Sequence, residues 1–132
     1  MMTTEMTLLA WSLVLAVVQI LAFDMVRTRQ YGIKWNTGPR DEAMPPLSPV
    51  AERLQRAQSN LYETLPLFIA AVLALKLLGI STTGTVLGAQ LYFWGRVVYV
   101  PLYAFGVKMV RSLVWLVSFA GLLMLVSALV HA

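Results

Sequence analysis

Four stretches of this chain are long and apolar enough to cross a bilayer: Thr7–Val26, Ala57–Leu78, Thr85–Phe105 and Val110–Val130. A bilayer core asks for roughly 20 apolar residues per helix. Backbone polar groups find no water there, and a helix satisfies them within one segment. The expected fold is therefore all-α and membrane-integral, a bundle of four transmembrane helices forming a single domain over residues 1–132. Charged residues make up 12% of the chain, against roughly 25% in soluble domains, which supports the membrane class. With no cysteine, a disulfide framework, a thiolate metal site and a cysteine nucleophile are excluded.

The first stretch differs from a cleaved signal peptide. Glu5 is the only charged side chain before Asp24, so a basic leading region is missing. No small-x-small cleavage pattern precedes the basic loop, and the stretch is expected to be a retained helix. Loop one, from Arg27 to Arg56, contains "TGPRDEAMPPLSP" and is expected to be irregular and surface-lying. Ser48 and Pro49 suit the cap and first position of the second helix, with Glu52 in its first turn.

Loops one and three hold eight of the ten Lys and Arg residues. The positive-inside rule then places both loops in the cytoplasm and both termini outside. Such a bias reports orientation before partners, and nothing here forms the exposed basic, base-stacking face that nucleic acid requires. Trp11, Trp35 and Trp115 read as interface anchors, whereas Trp94 is too deep and reads as core or lipid-facing.

Polar residues inside the spans carry the functional signal. Arg53, Arg56, Asn60 and Glu63 recur at helical spacing on one face of the second span. Tyr92, Arg96, Tyr99 and Tyr103 do the same on the third. Glu63 lies roughly 9 Å inside its span and Arg96 roughly 13 Å from the near end of its own. A lone charge at mid-bilayer costs from ~3 to well over 10 kcal/mol. Opposite charges at similar depth are therefore expected to pair or to share a hydrated cavity. Taken singly, Arg53 and Arg56 read as snorkelling cations, Asn60 as helix–helix glue, and Glu63–Arg96 as a structural ion pair. Their convergence at one end favours a site. Lys108 and Arg111 add cations there. Arginine forks suit carboxylates and phosphates, and Glu63 suits an ammonium, so the inventory fits a small zwitterion with more than one carboxylate.

Several features read as structural. Asp24 and Arg27 form an i,i+3 pair at a helix end. Pro66 and Pro101 each remove one helix hydrogen bond. Ala70-x-x-x-Ala74 and Gly84-x-x-x-Gly88 are patterns for close helix contact.

"ERLQRAQSNLYETLPLF" (residues 52–68) and "GRVVYVPLYAFGVKMVRSLVW" (residues 95–115) resemble the two signatures of MAPEG, the membrane-associated proteins in eicosanoid and glutathione metabolism. The first is most similar to its leukotriene C4 synthase and microsomal glutathione transferase type. The resemblance covers nearly the whole chain and implies a homotrimer of four-helix subunits with glutathione held between neighbours as co-substrate. By position, Arg56, Asn60 and Glu63 would hold glutathione, joined by Arg53. Arg96, Tyr99 and Tyr103 match the next binding stripe, expected from a neighbouring subunit. Arg111 matches the arginine that stabilises the thiolate, and Ser112 an alternative hydroxyl partner for it. Arg29, or Arg27, matches a binding arginine at the end of the first helix. Gln58 is family-like but off the stripe. Leu61 departs from an acidic residue seen in several active members, and loop one is longer than usual.

The implied activity is a membrane glutathione transferase or peroxidase, acting on a lipophilic electrophile drawn from the lipid. The alternatives are a non-catalytic lipid- or glutathione-binding member of the family and a small four-helix multidrug transporter. The transporter reading is disfavoured because Asp24 sits at the end of the first span instead of within it.

Overall fold

The computed structural model describes residues 1–132 and consists of helices alone: α1 (Thr4–Tyr31), α2 (Ile33–Thr37), α3 (Pro49–Leu77), α4 (Thr83–Ala104) and α5 (Met109–Val130). Helices α1, α3 and α5 are long and apolar enough to cross a membrane. The chain is thus an all-α integral membrane bundle with three strongly apolar spans. The expected third span, here α4, does not reach the same apolarity. It has the 22 residues of α5, a length of about 33 Å, but Gln90, Arg96 and three tyrosines dilute it. Most of those polar groups are turned inward, whereas Gln90 accepts from the exposed Trp94 at 2.8 Å. Tyr92, Arg96 and Tyr99 are buried, while Leu87, Trp94 and Val98 are exposed.

The surface explains why this is a membrane fold. Trp11, Val17, Leu67, Leu73, Leu113 and Leu123 are all exposed. Apolar area of that kind on an aqueous surface would be a large unfavourable patch. Inside, α1 presents a stripe of Leu8, Ser12, Ala16, Gln19 and Phe23 to its neighbours. Leu61, Phe68 and Leu75 of α3 meet Ala89 and Tyr92 of α4 and Leu122 and Leu125 of α5.

Helix ends follow local chemistry. Ser48 caps α3, accepting from the Ala51 amide at 3.3 Å, with Pro49 at the first position and Glu52 in the first turn, as the sequence predicts. α1 extends past Val26 to Tyr31, and α3 starts well before Ala57. The first connection therefore shrinks to residues 32–48. It includes α2, which the sequence reads as loop; residues 38–48 are irregular as predicted. Gln30 ties this segment to α1, donating to the Pro46 carbonyl at 2.8 Å and accepting from the Ser48 amide at 2.7 Å. Pro66 and Pro101 lie inside helices that continue through them.

Small residues bring α4 and α5 together, at Gly88 of the expected Gly-x-x-x-Gly pattern and at Gly95 outside it. A Cβ on Gly88 would stand 2.8 Å from the Gly121 carbonyl oxygen, and one on Gly95 would stand 2.7 Å from Ser118 Cβ. Gly84 has only ordinary contact, and Ala70 is exposed.

At the end of the bundle opposite the basic loops, Glu5 is 3% exposed. Its carboxylate accepts from Thr85 Oγ1 at 2.6 Å and from Ser81 Oγ at 2.9 Å. Thr85 also completes a capping box with Thr82 at the start of α4. The first turn of α1 is thereby fastened to the first turn of α4, and the two helices start level with each other.

Candidate functional site

Asn60, on α3, is the junction of the site. Its Oδ1 accepts from Arg96 Nη1 of α4 at 2.8 Å and from Trp115 Nε1 of α5 at 2.9 Å. One amide oxygen thereby joins three helices, using both of its lone pairs. One turn deeper, Thr64 and Tyr92 share a hydrogen bond of 3.0 Å, Tyr92 stacks on Phe68 with ring centroids 4.1 Å apart, and Ser118 Oγ donates to the Tyr92 carbonyl at 3.0 Å. This column fixes the floor of a cleft at the basic end.

The cleft has a volume of about 450 Å³ and is lined by Arg56, Asn60, Tyr99, Tyr103, Arg111 and Ser112, with Trp115 and Leu116 as its apolar wall. That is within the range of small-molecule sites. The Arg111 guanidinium lies 4.5 Å over the Tyr103 ring, and that of Arg96 lies 4.6 Å over Tyr99. Each arginine is held against an aromatic ring, which reduces the freedom lost when its fork meets a ligand. Arg96 is 2% exposed and stands behind the lining. No carboxylate lines the cleft, so the site favours anionic groups.

The two predicted stripes meet within one chain, where Asn60 of α3 bonds directly to Arg96 of α4. The expected Glu63–Arg96 ion pair does not form. The only ion pairs are Asp24–Arg27 at 2.5 Å and Glu52–Arg56 at 3.9 Å, and Glu63 is exposed. At about 100° per residue, Glu63 is turned about 60° from Asn60 and leaves the cleft. Arg53 also stands outside the lining. It donates to the Ala104 carbonyl at 3.4 Å and lies against Gly106, whose φ is +72°. Arg29 is exposed at the end of α1 beside a separate groove of about 770 Å³ formed with Gly32 and Ile33. Trp115, expected to be an interface anchor, is instead part of the site. Its i,i+4 spacing from Arg111 is the signal that could have revealed it. Trp94 is exposed, the lipid-facing alternative. Asp24 is already engaged by Arg27.

A membrane bundle with a cationic, aromatic-walled cleft open at its basic end is the class that fold and site define. The family model that matches this chain is that of the MAPEG family, over residues 8–131, and the chain belongs to that family. No curated protein and no solved structure matches it. The family is linked broadly to membrane enzymes of eicosanoid and glutathione metabolism, to lipophilic substrates and to oligomeric assembly.

Proposed function

We propose that this protein is a membrane glutathione transferase, with peroxidase chemistry as a second outcome of the same activated thiol. The observation that carries the reading is the cleft itself, where Arg56, Arg111, two tyrosines and Ser112 converge beside an apolar wall in a chain of this family. The arginines suit the two carboxylates of glutathione and its thiolate. Its ammonium has no carboxylate partner in the lining. Exposed Glu63 and Arg29 supply the missing contacts from a neighbouring subunit in a homotrimer, and α4 crosses the membrane as its fourth span. Residues 1–132 act as one such domain. Both basic loops face the cytoplasm and both termini the other side.

In this mechanism, glutathione loses its thiol proton to water. Arginine keeps its proton in proteins, so Arg111 lowers the cost of the anion without taking the proton itself. The Ser112 hydroxyl donates to the same sulfur. The thiolate, the competent nucleophile, attacks an electrophilic carbon presented along Leu116 and the lipid-facing wall. A carbon–sulfur bond forms while the leaving group departs with its electron pair.

Purified protein mixed with glutathione and a nitroaryl halide tests this. The expected result is ultraviolet thiolate absorbance and conjugate formation, with kcat falling about 100-fold in Arg111→Ala. Absence of both thiolate and conjugate overturns the proposal. Glutathione binding without turnover across a panel of electrophiles would make the protein a non-catalytic member of its family.

A further inference from the structure

Arg96 uses only part of its guanidinium in the site. Nη1 reaches Asn60, but Nε and Nη2 are buried and have no partner within the protein. Gln19 of α1 is 3% exposed, and its side-chain oxygen and nitrogen are both likewise without a protein partner. Buried polar groups left unpaired are costly, and native structures pair nearly all of them with protein or enclosed water.

The helix register brings the two side chains to one place. The Glu5–Thr85 hydrogen bond sets α1 level with α4. Gln19 lies 14 residues beyond Glu5 and Arg96 lies 11 beyond Thr85, so they differ by about 4.5 Å along the axis. At about 100° per residue, Gln19 stays within about 40° of the Glu5 direction and Arg96 within about 20° of the Thr85 direction. Both therefore lie on the faces that α1 and α4 turn toward each other, at the depth of Asn60.

We infer that Gln19 and the inner edge of Arg96 enclose a hydration site between α1, α3 and α4, and that through this water Gln19 positions Arg96 for the cleft. An amide is suited to the task. It offers an acceptor and two donors without charge, so it anchors bridging water without drawing Arg96 away from Asn60. Gln19 touches no substrate; it is a positioning residue acting through Arg96. Its effect on glutathione affinity rests on the function proposed above, whereas its link to Arg96 does not.

The experiment is a cycle of Gln19→Glu, Arg96→Met and the double variant in detergent-solubilised full-length protein, read by thermal unfolding. With Arg96 in place, the new carboxylate meets a cation; in the Arg96→Met background it is buried alone. The shift caused by Gln19→Glu should differ between the two backgrounds by at least about 4 °C. Equal shifts overturn the link. If Arg96→Met does not fold, NMR of the wild type gives the answer. The Gln19 side-chain amide protons, assigned by their loss in Gln19→Leu, should show cross-peaks to water, and their absence overturns the hydration site. Glutathione titration then tests the consequence. Gln19→Leu should weaken binding about tenfold (about 1.4 kcal/mol), and unchanged affinity overturns the positioning role. A wild type that binds no glutathione sinks the cleft's functional reading, while the unfolding cycle still decides the Gln19–Arg96 link.

Discussion

Asn60 shows how much one side chain can hold in a low-dielectric interior. Its oxygen is the only acceptor for both Arg96 Nη1 and Trp115 Nε1. Asn60→Leu leaves both donors stranded, one of them charged, and should cost about 3 kcal/mol of stability. Trp115→Phe removes a single neutral donor and can keep the stacking on Phe119, where centroids lie 5.0 Å apart. That variant should cost about 1 kcal/mol. Thermal unfolding of the two in the same detergent checks the ordering, and equal losses would mean that Asn60 is not the junction. A residue-level reading of sequence finds Asn60 because it shares a face with Arg56. It assigns Glu63 to the same cleft because four residues at helical spacing span a broad arc. Only the position of α4 decides which edge of that arc is covered.

At the scale of helices, the α4–α5 crossing is the tightest contact and yields a contrast in sign. Gly88→Ala must push against the backbone of α5 and should destabilise by about 1–3 kcal/mol. Gly84→Ala meets only Thr82 Oγ1, at 3.6 Å, and should be neutral or stabilising by up to about 1 kcal/mol. Chemical unfolding of the two variants tests this. The two glycines belong to a single Gly-x-x-x-Gly pattern, and that pattern does not say which of its members faces a partner. Helix existence is far more legible, because apolar runs of spanning length admit one backbone solution. The Ser48–Pro49 start of α3 is readable for a similar reason, since capping is local chemistry. α2 is not readable. Five residues, "IKWNT", are too few to display a period, and the far end of the same connection is held by Gln30 and Tyr31 reaching across 14 to 18 positions. α4 also defeats a hydropathy average, because the buried side of a bundle can be polar while its lipid side is not.

For the molecule as a whole, the concentration of eight cations in two connections and the helix ends beside them makes a prediction about sidedness. The chain has no cysteine, so introduced thiols report without background. Thr37→Cys, in the basic connection, should react with an impermeant maleimide only from the cytoplasmic side. Thr83→Cys, exposed at the other end, should react only from the opposite side. Labelling of either position from both sides would overturn the proposed single orientation. The cleft adds a prediction about assembly. Glu63 and Arg29 lie outside its lining, so Glu63→Gln should weaken glutathione binding only where subunits associate. Titration alongside native mass measurement of the oligomer checks that dependence.

The fastening of Glu5 has a consequence for biogenesis. Helices emerge from the ribosome in order, and Glu5 is made some 76 residues before Ser81 and 80 before Thr85, its hydroxyl partners. Until those hydroxyls arrive, the leading carboxylate has no place inside the bundle and must stay at the water boundary. The first helix is thus held provisionally during synthesis and locked only once the second half of the chain has been threaded. A nascent chain halted after Leu78 should remain open to cellular proteolysis, and one extended through α4 should become resistant.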